Sequence, residues 1–238
     1  MKKRLILLPM LGGLLLSGCQ FTIFGKTIKL FEKDNKEQKD SDSGKQQAEP
    51  KQLTADITIN YDTLKDNFDA EGKYVYPQSD YEFTAGGISF NATSGVGQRT
   101  QNKDSDGNAY EANYYYEQHA LQFRKTGHEK GAGIITVAEP VIASKITVHW
   151  YATYATEASQ YHPVVFVGDT DTAVNTKVSC NEGSTVTGVK TTGKERGSDN
   201  KDHEVYDYTT TYNISGKHYF AISAPNGAMY VKDIVINK

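Results

Sequence analysis

Residues 211–236 read TYNISGKHYFAISAPNGAMYVKDIVI and carry the clearest β-strand pattern in the chain. Two apolar runs, 218–223 and 228–236, lie on either side of Asn226-Gly227. An Asn-Gly pair adopts the positive φ angles of a two-residue turn at little cost, so it is a strong hairpin signal between apolar runs. The sequence predicts that the two runs are neighbouring antiparallel strands.

The same pattern of short strands extends upstream as far as Leu53. Ile57, Ile59 and Tyr61 alternate with polar residues, which is the period of a half-buried strand. Turn residues such as Gly86-Gly87 separate the runs, and only 62–69 has the pattern of a short helix. Further strand-like runs lie at 81–90, 120–123, 134–137, 145–154, 164–167, 186–189 and 206–214. This organisation predicts an all-β domain over 53–238, a β-sandwich or jelly roll of antiparallel strands.

The N-terminus reads MKKRLILLPMLGGLLLSGCQ. Its basic start is followed by an apolar stretch of about a dozen residues, too short for the roughly 20 that a membrane-spanning helix needs, and this is typical of a secretory signal. The end, Leu16-Ser17-Gly18-Cys19, closely resembles the bacterial lipobox. That resemblance implies that residues 1–18 are removed and that Cys19 is lipidated. We therefore expect a lipoprotein that acyl chains such as palmitate hold at the extracytoplasmic face of a bacterial membrane.

Residues 19–52 are predicted to be the lipidated Cys19 and a flexible polar tether. The segment 32–52, EKDNKEQKDSDSGKQQAEPKQ, has no large apolar residue. Such a composition cannot bury enough surface to offset the entropy of ordering the chain. The preceding stretch, 21–31, is amphipathic, and it either lies at the membrane surface or belongs to the tether.

The C-terminal runs resemble a known class of module. Residues 211–236 are similar to the closing hairpin, and 146–169 (ITVHWYATY…HPVVFVGD) to the central strands, of jelly-roll modules in secreted bacterial proteins. These modules accompany pectate lyases and other extracellular hydrolases, where they look like carbohydrate-binding domains. The resemblance implies a jelly-roll fold and a non-catalytic role in binding carbohydrate or another extracellular polymer.

Aromatic residues are the first candidates for a binding site. The chain has 16 Tyr, and sugar-binding surfaces use exposed rings because the C–H faces of a pyranose pack on them. Trp150 shares a strand face with Ile146 and Val148, so we expect it in the core and the opposite face, with His149 and Tyr151, to be exposed. The candidate ligand-binding residues are Tyr114, Tyr115, Tyr116, His149, Tyr151 and Tyr161.

A polar loop is the candidate metal site. Asn102, Asp104 and Asp106 place oxygen-bearing side chains at alternating positions before Gly107, as the start of an EF-hand-like Ca²⁺ loop does. The twelfth position, however, is Asn113, where such a loop has a bidentate carboxylate. The loop is therefore either a calcium site of unusual shape or a polar surface loop.

Other classes of function lack support in the sequence. A net charge of −3 gives no basic footprint for nucleic acid. There is no Gly-x-Ser-x-Gly, His-Glu-x-x-His or phosphate-binding motif, and the six His are scattered singly, so we expect no enzyme. Cys180 has no disulfide partner if Cys19 is lipidated, and we expect it in or near the core. The alternative to a binding module is a structural or protein-interaction lipoprotein of the cell envelope.

Overall fold

A computed structural model describes residues 19–23, 26–30, 48–68, 75–125, 128, 131–153, 162–180, 188–224 and 227–238. In this part of the chain the strands are β1 (Cys19–Ile23), β2 (Lys26–Leu30), β3 (Lys51–Gln52), β4 (Ile57–Asn60), β5 (Tyr81–Ala85), β6 (Ile88–Ala92), β7 (Val96–Gln98), β8 (Leu121–Phe123), β9 (Ile134–Val137), β10 (Val141–Ile142), β11 (Lys145–Ala152), β12 (Val164–Gly168), β13 (Thr176–Val178), β14 (Val189–Arg196), β15 (Asp202–Asn213), β16 (Tyr219–Ser223) and β17 (Met229–Asn237). The helical elements are α1 (Tyr61–Leu64), a 3-10 turn (Lys65–Asn67) and α2 (Tyr114–Glu117).

Two antiparallel sheets form a β-sandwich, which confirms the predicted all-β fold. Six strands of the seven-stranded sheet have the order β14-β15-β11-β17-β8-β7, and β4 is the seventh. Along one edge of β17, residues 229–231 pair with β8 and residues 233–236 pair with β4. The six-stranded sheet has the order β13-β12-β16-β9-β6-β5. The chain passes repeatedly from one sheet to the other, so the core lies between strands that are distant in sequence. A short parallel pair, β3 with β10, lies beside the two sheets.

Strand β11 shows how the core is built. Its residues Ile146, Val148 and Trp150 are fully buried between the sheets, as their alternation predicts. The Trp150 ring stacks on Tyr208 with centroids 4.4 Å apart, and its Nε1 donates to Thr210 Oγ1 at 2.9 Å. The indole is therefore buried with its only polar atom satisfied, which confirms that Trp150 is a core residue. Cys180 is partly buried and packs against the same core, also as predicted.

Two hairpin turns with glycine can be compared with the structure: the β5–β6 turn forms a hairpin, and the hairpin predicted at Asn226-Gly227 is wrong. Gly86 and Gly87, with φ of 56° and 77°, join β5 and β6 as a hairpin. The strands before and after Asn226-Gly227 do not pair as a hairpin, because β16 pairs with β9 and β12 whereas β17 pairs with β4, β8 and β11. Asn226 itself lies outside the described residues. Both flanking strands have neighbours on both sides in their own sheets. Pairing with distant strands therefore outweighs the local turn signal, and the connection passes between sheets.

The helical segment is short and capped at its start. Asn60 Oδ1 accepts from Thr63 N at 3.1 Å and Thr63 Oγ1 accepts from Asn60 N at 3.3 Å, a reciprocal capping box. The helix begins one residue before the predicted segment, 62–69, and continues as the 3-10 turn to Asn67. None of the helices in the described part of the chain has the length and apolar character required to cross a bilayer.

The structure describes three parts of the predicted tether: residues 19–23, 26–30 and 48–52. Strands β1 and β2 pair antiparallel, with Cys19 opposite Leu30. Apolar residues alternate with polar ones in both strands, and this period of two favours extended pairing. At the other end of the tether, β3 pairs with β10, so the chain joins the domain before Leu53. The signal segment 1–18 and residues 31–47, which include most of the polar segment 32–52, lie outside the described residues.

Candidate functional site

A segment from Arg99 to Ala120, here called the cover segment, folds over the outer face of the seven-stranded sheet. Arg196 N in β14 donates to Ala112 O at 2.8 Å, and Asn113 forms a bridge with Glu195. The cover segment thereby extends the sheet beyond β14 for a short distance. It places α2 above strands β11 and β17, on the side opposite the inter-sheet core.

A second apolar cluster, here called the outer cluster, lies beneath α2. The Tyr115 ring stacks on Tyr230 at 4.2 Å and lies 6.1 Å from Tyr151, nearly parallel to it. Tyr114 meets the Tyr151 ring edge-on at 5.5 Å. The members are Tyr114, Tyr115, Ala120, Tyr151, Val205 and Tyr230. Aromatic pairs at these separations add stability beyond their buried area, so the outer cluster holds the cover segment on the sheet.

Gly193 makes room for Tyr114. The β14–β15 ladder shifts register between Lys190 and Lys194, which places Gly193 in an irregular part of the strand. A Cβ atom at Gly193 would lie 1.8 Å from Tyr114 Cδ2, far inside van der Waals contact. Only glycine therefore lets the Tyr114 ring pack over β14 and against Tyr151.

The outer cluster corrects the predicted exposure of Tyr151. Tyr151 is only 3% exposed, because the cover segment lies over the face of β11 that was expected to be open. Tyr115, which belongs to the cover segment and packs against that face, is also 3% exposed. Burial also raises the pKa of the Tyr151 hydroxyl. Tyr116, at 38%, is the member of the three-tyrosine run that points outward. His149 is half-buried and pairs through Nδ1 with Asp233, and Tyr161 lies outside the described residues.

Beside the outer cluster, the described residues enclose an open cavity of about 880 Å³. Its walls come from the cover segment, the end of β11, the β14–β15 turn and the start of β17. Tyr115 and Tyr151 line it, together with Asn102 of the predicted metal loop, whereas Tyr114, Tyr116 and His149 do not. Other lining residues that matter below are Arg99, Lys103, Tyr110, Lys125, Glu195, Arg196, Asp199, His203 and Tyr230.

Glu195 joins the cover segment to the sheet at the wall of the cavity. Its Oε1 accepts from Arg99 at 2.8 Å and from Asn102 Nδ2 at 3.0 Å, and its Oε2 accepts from the backbone N–H of Tyr115 at 3.1 Å. Glu195 is 3% exposed, and burial raises the pKa of its carboxyl although Arg99 and the hydrogen bonds oppose that shift. All three donors come from the cover segment, so one buried carboxylate fixes its position.

The predicted metal loop has other hydrogen-bond partners in the structure. Asn102 Oδ1 accepts from Arg99 at 2.8 Å, and the same Arg99 nitrogen also donates to Glu195. The Asn102 oxygen therefore already has a hydrogen-bond donor within the protein. Asp104 accepts from the backbone N–H groups of Asp106 and Asn108, and the Asn108 bond is the largest cause of its lowered pKa. No group of three His, Cys, Asp or Glu side chains placed to hold a metal ion occurs in the described ranges. The contacts match the polar-loop alternative, and calcium binding stays a prediction.

Arg196 is the second arginine at the cavity. Its guanidinium lies 4.5 Å above the Tyr110 ring and pairs with Asp202 at 2.9 Å. At the tip of the β14–β15 turn, Asn200 has a positive φ of 60°, and its backbone oxygen accepts from Arg196. Asp199 Oδ1 contacts His203 Nε2 at 2.9 Å and accepts from Lys201 N at 3.1 Å. The turn is therefore held by side chains that also line the cavity.

Sequence reasoning did not identify Arg99, Tyr110, Glu195, Arg196 or Tyr230 as site residues. Arg99 and Glu195 are 96 positions apart, and neither lies in a motif. Strand β14 is rich in charged and small residues, which predicts a solvated edge strand and not a buried carboxylate. The one available signal was the alternation of Asn102, Asp104 and Asp106 before Gly107, which marked this loop as a candidate site.

Comparisons with family models, with curated proteins and with solved structures find no match to this chain.

Proposed function

We propose that this chain is a lipid-anchored extracytoplasmic binding protein whose non-catalytic sandwich domain binds carbohydrate, or a similar extracellular polymer, in the cavity beside the outer cluster. The anchoring part is supported by the lipobox-like Leu16-Ser17-Gly18-Cys19. The polar composition of 32–52 suits a spacer between the lipid and the domain. Both features describe a protein that presents a domain at a membrane surface.

The cavity is the observation that carries the binding part. Its walls combine tyrosine rings with amide and guanidinium groups: Tyr110, Tyr115, Tyr151 and Tyr230, then Asn102, Asn200, Arg99 and Arg196. The half-buried Tyr110 supplies the ring that can pack against sugar C–H groups, because Tyr115 and Tyr151 are each 3% exposed and the Tyr230 ring is stacked on Tyr115. Side chains with fixed donors and acceptors meet the hydroxyl groups. At about 880 Å³ the cavity has room for a short oligosaccharide.

The carboxylates of the cavity support a non-catalytic role. Glycoside hydrolysis needs one carboxyl group as an acid and a second as nucleophile or base. Glu195 is occupied by Arg99, Asn102 and the Tyr115 backbone, and Asp199 is engaged by His203 and the backbone of Lys201. Both carboxylates have structural partners, so we assign binding to the cavity and no reaction.

A glycan-array screen of the mature chain without its lipid, from Gln20 onward, tests this proposal. We expect specific binding, reduced at least about fivefold in Tyr110→Ala, because a ring at the centre of a contact contributes more than about 1 kcal/mol. Tyr116→Ala is the matched control, since its ring is exposed and lies outside the cavity. Repeating the screen with calcium and with chelator tests whether Asn102, Asp104 and Asp106 take part. A calcium-dependent hit would bring that loop into the site.

An array without hits in either condition would overturn the carbohydrate proposal and favour the protein-interaction alternative. That alternative expects an apolar patch on the surface. Among the described residues the exposed large apolar side chains are Tyr116, Ile142 and Val189, which lie on three different elements, α2, β10 and β14. Val189 is 73% exposed on β14, an edge strand of the seven-stranded sheet, so this edge is where the protein-interaction alternative would place a partner.

A further inference from the structure

The cavity has a basic character that the whole chain lacks. Four basic side chains line it, Arg99, Lys103, Lys125 and Arg196, against the two carboxylates Glu195 and Asp199. The chain as a whole has a net charge of −3. Arg99 pairs with Glu195 and Arg196 pairs with Asp202, so the positive charge that has no ion-pair partner among the described residues comes from Lys103 and Lys125. A concave site of one sign attracts ligands of the other, so this charge favours an anionic ligand.

Both carboxylates are already paired within the protein. Glu195 accepts from Arg99 and from two groups of the cover segment. Asp199 contacts His203 and Lys201 within the β14–β15 turn. Neither presents an unpaired negative charge to a ligand, so these two groups reduce the positive character of the cavity without making a site for a cation.

The two arginines are held in place and still have donor capacity. Arg99 lies 5.7 Å from the Tyr230 ring centroid and Arg196 lies 4.5 Å from that of Tyr110, so aromatic faces orient both guanidinium planes. The Nε atoms of both arginines are buried without a hydrogen-bond partner among the described residues. These two Nε atoms are enclosed by the protein, whereas the Arg99 and Arg196 side chains are 15% and 25% exposed. The exposed part of a planar guanidinium suits carboxylate and sulfate oxygens.

Two lysines complete the basic surface at the cavity rim. Lys103 of the cover segment and Lys125, which follows β8, are both exposed. Within the described ranges neither side chain has an ion-pair partner. A flexible ammonium group at a rim suits a charged group that lies further along an extended ligand.

The geometry points to an acidic oligosaccharide, one that bears carboxylate or sulfate groups, as the ligand of this cavity. This inference rests on the proposed function and specifies its ligand class. The Tyr110 ring packs against a sugar face, the exposed parts of the oriented arginines meet one anionic group, and the rim lysines attract the next. A neutral sugar of the same size lacks the partner for these basic groups.

Calorimetric titration of the mature chain with three acidic tetrasaccharides tests the inference: hyaluronan, chondroitin sulfate and alginate. At least one should bind, and the methyl ester of hyaluronan or alginate, which has the same rings without the charge, should bind about tenfold more weakly than the acid. Affinity for the acid should fall several-fold between about 0.05 and 0.5 M NaCl, because salt screens exposed charges. Sodium sulfate at equal ionic strength distinguishes a glycan site from a site for any small anion.

Substitutions at the rim give a readout that does not disturb the fold. The double variant Lys103→Ala/Lys125→Ala should weaken binding of the acid about three- to tenfold, the range for two exposed charge contacts, and leave the methyl ester unchanged. Lys177→Ala is the matched control, because Lys177 is an exposed lysine on β13 of the other sheet.

The outcomes separate this inference from the proposed function. Equal affinity for acid and ester, or a rim variant that binds the acid as tightly as the wild type, would overturn the acidic-ligand inference. Array hits confined to neutral glycans would also overturn it and leave the carbohydrate proposal standing. A chain that binds no glycan, neutral or acidic, contradicts both, and competition by sulfate alone would reassign the cavity to small anions.

Discussion

Strand β11 presents Trp150 to the inter-sheet core and Tyr151 to the outer face, and both side chains are buried. The two burials have different origins. Trp150 is covered by the opposite sheet, in a core that extends across the sandwich. Tyr151 is covered by the cover segment, whose position depends on four tyrosine rings and the Glu195 carboxylate. The inner face is closed by apolar packing, and the outer face by a small cluster with a polar anchor beside a cavity.

The largest expected loss of stability comes from a substitution in the inter-sheet core. Trp150→Ala should lower the free energy of unfolding by about 4 kcal/mol, the middle of the range for truncating a fully buried aromatic residue. The substitution removes the stacking on Tyr208 and leaves Thr210 Oγ1, also buried, without its indole donor. Urea denaturation followed by tyrosine fluorescence measures the change.

Tyr116→Ala serves as the control for an aromatic truncation at the surface. Because its ring is 38% exposed, the loss should stay below about 0.5 kcal/mol. Similar losses for the two variants would mean that the inter-sheet core does not dominate stability.

A smaller loss of stability is expected from a substitution that weakens the attachment of the cover segment to the outer face. Glu195→Gln should cost about 2 kcal/mol at about pH 7, because a glutamine has one acceptor oxygen where the carboxylate accepts with two. Its amide nitrogen would then oppose either the Tyr115 N–H or the donors from Arg99 and Asn102, and a buried donor would be left unsatisfied. Urea denaturation measures the loss, and limited proteolysis should show earlier cleavage between residues 99 and 120.

Glu204→Gln is the matched control on the neighbouring strand. Glu204 is 41% exposed and pairs with Lys190 at 3.5 Å, so its loss should cost less than about 0.5 kcal/mol. Unchanged protease sensitivity in Glu195→Gln would contradict the role given to Glu195 in holding the cover segment.

The contrast between the faces also explains which features the sequence predicted. The alternation of Ile146, Val148 and Trp150 is local, so it predicted both the strand and the buried face. The same alternation assigned Tyr151 to solvent, because it contains no information about a segment some thirty or more positions upstream that folds over that face. Periodicity gives the side of a strand on which a residue lies, and only tertiary structure decides what covers that side.

The site and one turn were missed for the same physical reason. The pairing of Glu195 with Arg99 spans 96 positions and has no motif. Asn226-Gly227 has the local chemistry of a hairpin, yet β16 and β17 find their partners in different sheets. Sequence reasoning did place Tyr115, Tyr151 and Asn102 among the candidates, and these three line the cavity. Tyrosine content and the alternating oxygen-bearing side chains of the 102–107 loop were therefore useful signals for the region, although not for its charged residues.

The smallest expected effect is a pH dependence of the stability difference between wild type and Glu195→Gln. Burial raises the pKa of the Glu195 carboxyl above its ordinary 4.5, so between the unfolded and folded pKa values the folded protein binds more protons at this site. By linkage, the contribution of Glu195 to the free energy of unfolding is fully present below the unfolded pKa and decreases as pH rises through the folded pKa. The amide that replaces this carboxyl in Glu195→Gln does not titrate, so the stability difference between wild type and variant should be larger at about pH 4.5 than at about pH 7.

Urea denaturation of both proteins across that range measures the slope. Asp207, whose pKa burial also raises, titrates in wild type and variant alike and cancels from the difference. A wild-type advantage over Glu195→Gln that grew with rising pH would mean that the Arg99 charge outweighs the burial of Glu195. The outer face would then be held by an ion pair that gains strength on ionisation, and the cavity beside it would have a lower positive charge than its basic side chains suggest.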